Sequence, residues 1–196
     1  MQIKLMEQLD LDRCPHCGVD RPTISILGNY QTQNFDKSVI RHWATYTCKR
    51  CGGAIVASAK QMNYDVTDIF PKSPEVDPSV PPKAQSYLTQ AINSKSAPAG
   101  AVMLTASAVD AMLKAKSYTE GGVYQRIEAA VNDHLITPEM AQWAHGVRLE
   151  DNGREDADDA AALPSAEDAE KVIDFALALA DFLFVLPAKI QRGIGN

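Results

Sequence analysis

No stretch of this 196-residue chain is apolar for long enough to be read as a membrane span. The longest apolar run, residues 172–187, is broken by Asp174 and Asp181, whereas a spanning helix needs about 20 apolar residues in succession. The opening MQIKLMEQLDLD lacks the apolar core, basic flank and small-residue cleavage site of a signal peptide, so a cytoplasmic protein without a membrane partner is expected. No internal repeat is present. Cysteine is scarce as well. All four cysteines fall in two CxxC pairs, which in a chain without an export signal points to a metal site in a reducing compartment, not to disulfides.

What is present is a foldable composition, 45% hydrophobic and 22% charged, which excludes wholesale disorder. The length suits one ordinary domain plus a small module. The net charge of −6 is unevenly spread. Residues 13–60 carry seven basic side chains against two acids, a surplus of five that four thiolates around one Zn²⁺ would reduce to about three. Residues 71–196 carry eleven basic and eighteen acidic side chains. Any attraction for nucleic acid is therefore expected in the N-terminal part.

That part reads Cys14-Pro15-His16-Cys17-Gly18 and then Cys48-Lys49-Arg50-Cys51-Gly52-Gly53, with thirty residues (18–47) between Cys17 and Cys48. Each CxxC-Gly is a turn that points two sulfurs into one pocket, its trailing glycine relieving the crowding as backbone amides turn toward them. Two such turns complete a tetrahedron, so Cys14, Cys17, Cys48 and Cys51 are expected to bind a structural zinc ion with no open position for catalysis. The thiolates fill the shell, leaving His16 and His42 as surface residues. Strand-like runs at 23–30, 39–47 and 54–58 give the layout of a zinc ribbon. Arg41, Trp43, Lys49 and Arg50 mix basic and aromatic side chains, as a surface for nucleic acid or a protein partner would. Alternation along the strand supplies the preferred, plainer reading, with Trp43 over the ribbon core and the basic residues merely solvated.

Residues 71–82, with five prolines in twelve positions, read as a stiff linker between a zinc-ribbon module (1–70) and a helical domain (83–196). Helical periodicity then predicts helices over 83–94, 98–116 and 123–132. A fourth opens at Thr137-Pro138 and runs to about Arg148, and a long last helix is capped by Ser165 and carries Val172, Phe175, Leu179, Phe182 and Leu186. The fold class is thus mainly α: a small β ribbon, then a bundle of about five helices. Residues 150–163, EDNGREDADDAAAL, exceed the usual connection of about 2–8 residues and lack the ligand pattern of a calcium loop, so a solvated acidic loop is expected. His134 and His145 show no evident partner in the sequence and read as structural.

The segments PPKAQSYLTQAI, AVMLTASAVDAML and LITPEMAQWAHGVRLEDNG resemble the bacterial and phage family called domain of unknown function four-one-four-five, a divergent branch of the HEPN superfamily often found beside restriction and defence systems. Members typically read Trp-Ala-His, Arg, two residues, Gly-Asn, two more, then Ala-His. Trp143, Ala144, His145, Arg148 and Asn152 match, Asp151 replaces the glycine, Asp156 stands where histidine is expected, and Asp110 lies where members often carry Glu. The resemblance implies a HEPN-like bundle that dimerises and, in active relatives, cleaves RNA with Arg and His. Arg148, Asn152 and Asp156 are the corresponding candidates here. A carboxylate in place of the histidine repels the phosphate, so a non-catalytic adaptor is expected, with a HEPN-type ribonuclease or a ribbon that binds nucleic acid as the alternatives.

Overall fold

The computed structural model describes residues 2–73, 75–147 and 163–195. The chain forms two compact units, Met1–Pro74 and Glu75–Asn196. It is mainly helical, with a four-stranded antiparallel sheet at its N-terminal end.

The first unit is a meander in the order β1 (Ile24–Gln33), β2 (Ile40–Cys48), β3 (Ala54–Ala59) and β4 (Val66–Phe70). The first three strands fall on the expected runs, whose β-branched and aromatic residues suit a half-buried pleated surface. The fourth was not expected from the sequence. Side chains alternate across a strand, so Ala44, Tyr46 and Cys48 of β2 share the buried face with Ile24, Ile55, Ala57 and Ala59.

The cover for that face is the N-terminal segment, which brings Leu5, Leu9 and Leu11 into the same cluster. It runs between the two sides of the sheet. Leu9 N–H donates to Ile24 O (3.1 Å) and Ile26 N–H to Glu7 O (2.9 Å), while Leu5 N–H donates to Tyr64 O (2.9 Å). Tyr46 Oη, beneath it, donates to the Met6 carbonyl at 2.7 Å.

The second unit contains α1 (Pro82–Asn93), α2 (Pro98–Ala115), α3 (Val123–Asn132), α4 (Pro138–Gly146), α5 (Ala166–Ala180) and α6 (Leu186–Ile194). Proline occupies the first turn of α1, α2 and α4, where its missing N–H has no intrahelical partner to lose. Thr137 caps α4, and Ser165 with Asp168 forms a reciprocal capping box on α5. α2 is the central helix, packed against α1, α3 and α5. Its Ala101, Ala108 and Ala111 are buried beside Val102, Val109, Met112 and Leu113. The proline-rich stretch is divided between the units. Val80 is a core residue of the helical unit, and Gln85 Nε2 donates to Val76 O at 3.2 Å.

Phe182 and Leu186 were expected on the buried stripe of the last helix, but both are exposed, and Leu183 and Val185 are buried instead. Asp181–Val185 is a π-helical turn joining α5 to α6. Its extra residue rotates everything beyond it out of the 3.6-residue phase.

Candidate metal centre

The two CxxC segments adopt the same turn. In the first, Gly18 N–H donates to Cys14 O (2.9 Å) and Cys14 N–H to Val19 O (3.1 Å). In the second, Gly52 N–H donates to Cys48 O (2.9 Å) and Cys48 N–H to Gly53 O (3.0 Å). Gly18 and Gly52 have φ of 66° and 74°, left-handed values that a side chain would resist, which is why glycine follows each second cysteine. Arg13 buttresses the first turn, donating to Gly18 O at 3.0 Å and facing Asp20 at 3.5 Å.

The turns bring four sulfurs to one point. The Sγ atoms of Cys14, Cys17, Cys48 and Cys51 all lie within 4.8 Å of one another, and those of Cys14 and Cys51 are 3.9 Å apart. Metal–sulfur bonds of about 2.3 Å in a tetrahedron place sulfurs about 3.8 Å apart, so an ion fits after the widest pair closes by about 1 Å. Gly53 N–H points at Cys51 Sγ (3.4 Å), a second-sphere contact that favours thiolate. Burial pushes the Cys14 thiol up to about 12 and raises Cys51 as well. Burial also opposes ionisation of Cys48, but the Cys51 and Arg50 amides and the neighbouring thiols outweigh it and hold Cys48 at about 7. The arrangement can hold one cation, and with four sulfurs it presents no vacant position to a substrate.

His16 stands within the first turn but faces away from the sulfurs. Its Nε2–H donates to Ala54 O at 2.7 Å, tying the first turn to the start of β3. His42 lies against Gln31, with its Nε2 3.1 Å from the amide nitrogen.

The basic and aromatic candidates do not form one patch. Lys49 and Arg50 are exposed on the second cysteine turn, whereas Arg41 and Trp43 lie roughly 20 Å away along β2. Trp43 is not over the core of the sheet. It has the opposite parity to Ala44, Tyr46 and Cys48, lies half-buried on the other face, and donates from Nε1 to Thr32 Oγ1 at 2.8 Å. Both faces of β2 carry alternating residues, and the N-terminal segment covers the other one.

In the helical unit, Arg148, Asn152 and Asp156, and the acidic stretch around them, lie outside the described residues. The preceding Trp-Ala-His is described. Trp143 meets Phe175 edge-on at 5.5 Å, Ala144 is fully buried, and His145 stacks on Tyr124 at 4.8 Å while its Nε2 contacts Glu128 at 2.7 Å. His145, which has no evident partner in the sequence, thus fastens α4 to α3. Asp110 of α2 accepts from Arg126 of α3, a nearly buried guanidinium, and from Lys114 at 2.6 Å. The one sequence signal for that pair is an arginine next to Ile127 on the apolar stripe of α3.

Residues 88–193 match the family described as "Domain of unknown function (DUF4145)". The match spans just over half of the chain, and the protein belongs to that family. No curated protein and no solved structure matches the chain.

Proposed function

We propose that this DUF4145 member is a non-catalytic binding or adaptor protein whose N-terminal unit is a zinc ribbon held together by a structural Zn²⁺ on Cys14, Cys17, Cys48 and Cys51. The observation that carries the reading is the closed set of four sulfurs. Four thiolates in tetrahedral reach are a donor set typical of structural zinc, and catalytic zinc keeps a position for water or substrate.

The resemblance around Trp143–Asn152 supports reading the helical unit as HEPN-like, homodimeric through that unit, and at work in the cytoplasm in phage or bacterial defence or counter-defence. Asp156 in the place of the HEPN histidine supports loss of the nuclease, because a carboxylate cannot serve as the cation or acid that a scissile phosphate needs. The ribbon is the surface offered to a protein or nucleic-acid partner.

The test is incubation of the purified zinc-loaded protein with mixed RNA. Intact RNA is expected. Cleavage that disappears in Arg148→Ala would overturn the non-catalytic reading in favour of a HEPN-type ribonuclease using Arg148, Asn152 and Asp156.

A further inference from the structure

The strand register gathers distant residues into transverse rows on the sheet face opposite the Leu5–Tyr46 core. Tyr30 pairs with Trp43, Trp43 with Ser58, and Ser58 with Asp68. The next row runs Gly28, Thr45, Val56 and Phe70, and on the other side Arg41 pairs with Thr32. These positions differ by two along each strand, so all of them share one face.

In the middle of the face Gly28 is exposed, Thr45 half-buried and Ser58 fully buried, and its sides are aromatic. Tyr30 and Phe70 are 51% and 47% exposed. The Trp43 indole, held by Thr32, offers a fixed ring beside Tyr30. At the Arg41 end the sheet opens into a cleft of about 370 Å³, where Arg41, Lys60 and Asp68 stand among the apolar Val39, Ile40 and Ala59. Its two cations face a single acid. Asp68 Oδ2 is already engaged, accepting from Ser58 Oγ at 3.0 Å and from Thr67 Oγ1 at 3.3 Å.

We propose that this face binds single-stranded nucleic acid, with a base on the Tyr30–Trp43 pair and its phosphate against Arg41 and Lys60 in the cleft. Every base has a π face, and aromatic side chains beside a cationic track are how single strands are held without reading their sequence. Arg41 lies two residues from Trp43, about 7 Å along the strand, comparable to the reach from a base to its own 5′-phosphate. Guanidinium matches phosphate in charge and in its paired donors. A peptide partner would be better served by apolar side chains where Gly28 and Thr45 stand. A free nucleotide presents the same base and phosphate and is an outcome of the test.

The experiment uses the full-length zinc-loaded protein. A fluorescein-labelled 12-nucleotide oligo-uridine and an oligo-thymidine of the same length are followed by anisotropy, and adenosine monophosphate by isothermal calorimetry. Binding of the oligonucleotides is expected, and binding of the mononucleotide alone would overturn the strand assignment. Trp43→Ala and Arg41→Ala are each expected to weaken binding at least fivefold, with zinc content unchanged. Arg41→Ala should also reduce the salt slope by about 0.7 if a strand is bound. If Trp43→Ala fails to fold, Tyr30→Ala and Arg41→Glu, both at exposed positions, carry the same test. The proposal deepens the binding-protein reading, and its failure is distinct from failure of that reading. Cleavage of the probe would overturn the non-catalytic reading. No binding of any probe, binding indifferent to these substitutions, or capture of this face by a peptide would overturn the nucleobase site alone.

Discussion

His16 and Gly53 are in contact across the two cysteine turns: the imidazole occupies the space that a side chain at Gly53 would need. A Cβ there would come within 2.4 Å of His16 Cδ2, while Nε2 reaches past it to Ala54 O. The histidine of the first CxxC is therefore a strap between the turns, and the second glycine of Cys-Gly-Gly is its seat.

Gly53→Ala is expected to destabilise the first unit by about 1–3 kcal/mol, because ring and methyl cannot both fit. His16→Ala should lose about 1 kcal/mol with its hydrogen bond. The double variant should be more stable than Gly53→Ala alone, since removing the ring makes room for the methyl. Denaturant unfolding of the three variants checks this. Simple additivity would show that the two residues do not compete for one space.

Tyr46 is fully buried and burial pushes its phenol up to about 12, against an ordinary value of 10.0. The folded state keeps the proton that the unfolded chain loses first. This contribution is intact below pH 10 and is lost as the pH rises toward 12, about 2–3 kcal/mol in all. Tyr46→Phe should cost about 1 kcal/mol at neutral pH, where the bond to Met6 O is lost, and should show a shallower alkaline decline. Stability measured from pH 8 to 11 in both proteins is the check.

Asp110 and Arg126 form an ion pair between α2 and α3 with the guanidinium largely out of water. Asp110→Ala strands that charge and should destabilise the helical unit by about 3 kcal/mol. Combining Asp110→Leu with Arg126→Met replaces the pair by apolar volume and should recover most of the loss. Thermal unfolding followed by helical ellipticity reads both.

The cysteine spacing made the four-sulfur cluster legible because two CxxC-Gly turns leave little freedom in where their sulfurs point. The helix starts were legible for a similar local reason, since Pro82, Pro98, Thr137-Pro138 and Ser165 mark their own positions. What was not legible depended on distant chain. Leu5, Leu9 and Leu11 mix helical and strand spacing, and become core only by lying across a sheet that begins at Ile24. Trp43 sits on a strand whose alternation supplies two faces without saying which one that segment covers. β4 is five residues long with an irregular register against Ser58 and Ala59, too short and uneven to stand out. The π turn at Asp181–Val185 breaks a stripe that looks continuous in sequence.

The two units have separate apolar clusters, one between the N-terminal segment and the sheet whose β2 and β3 the second cysteine turn joins, and one around α2. Removing the metal with a chelator under reducing conditions should therefore unfold the sheet while helical ellipticity persists. Amide and indole NMR signals of the sheet, including that of Trp43, should collapse, and those of α1 to α5 should stay dispersed. Loss of both sets together would show that the helical unit depends on the metal.

The most direct test of the central claim is the metal content of the purified protein, measured by elemental analysis together with titration of accessible thiols. One zinc per chain is expected, with all four thiols protected until the metal is removed and with zinc lost in Cys14→Ser and Cys48→Ser. Native, folded protein holding no zinc and four freely reactive thiols would contradict it.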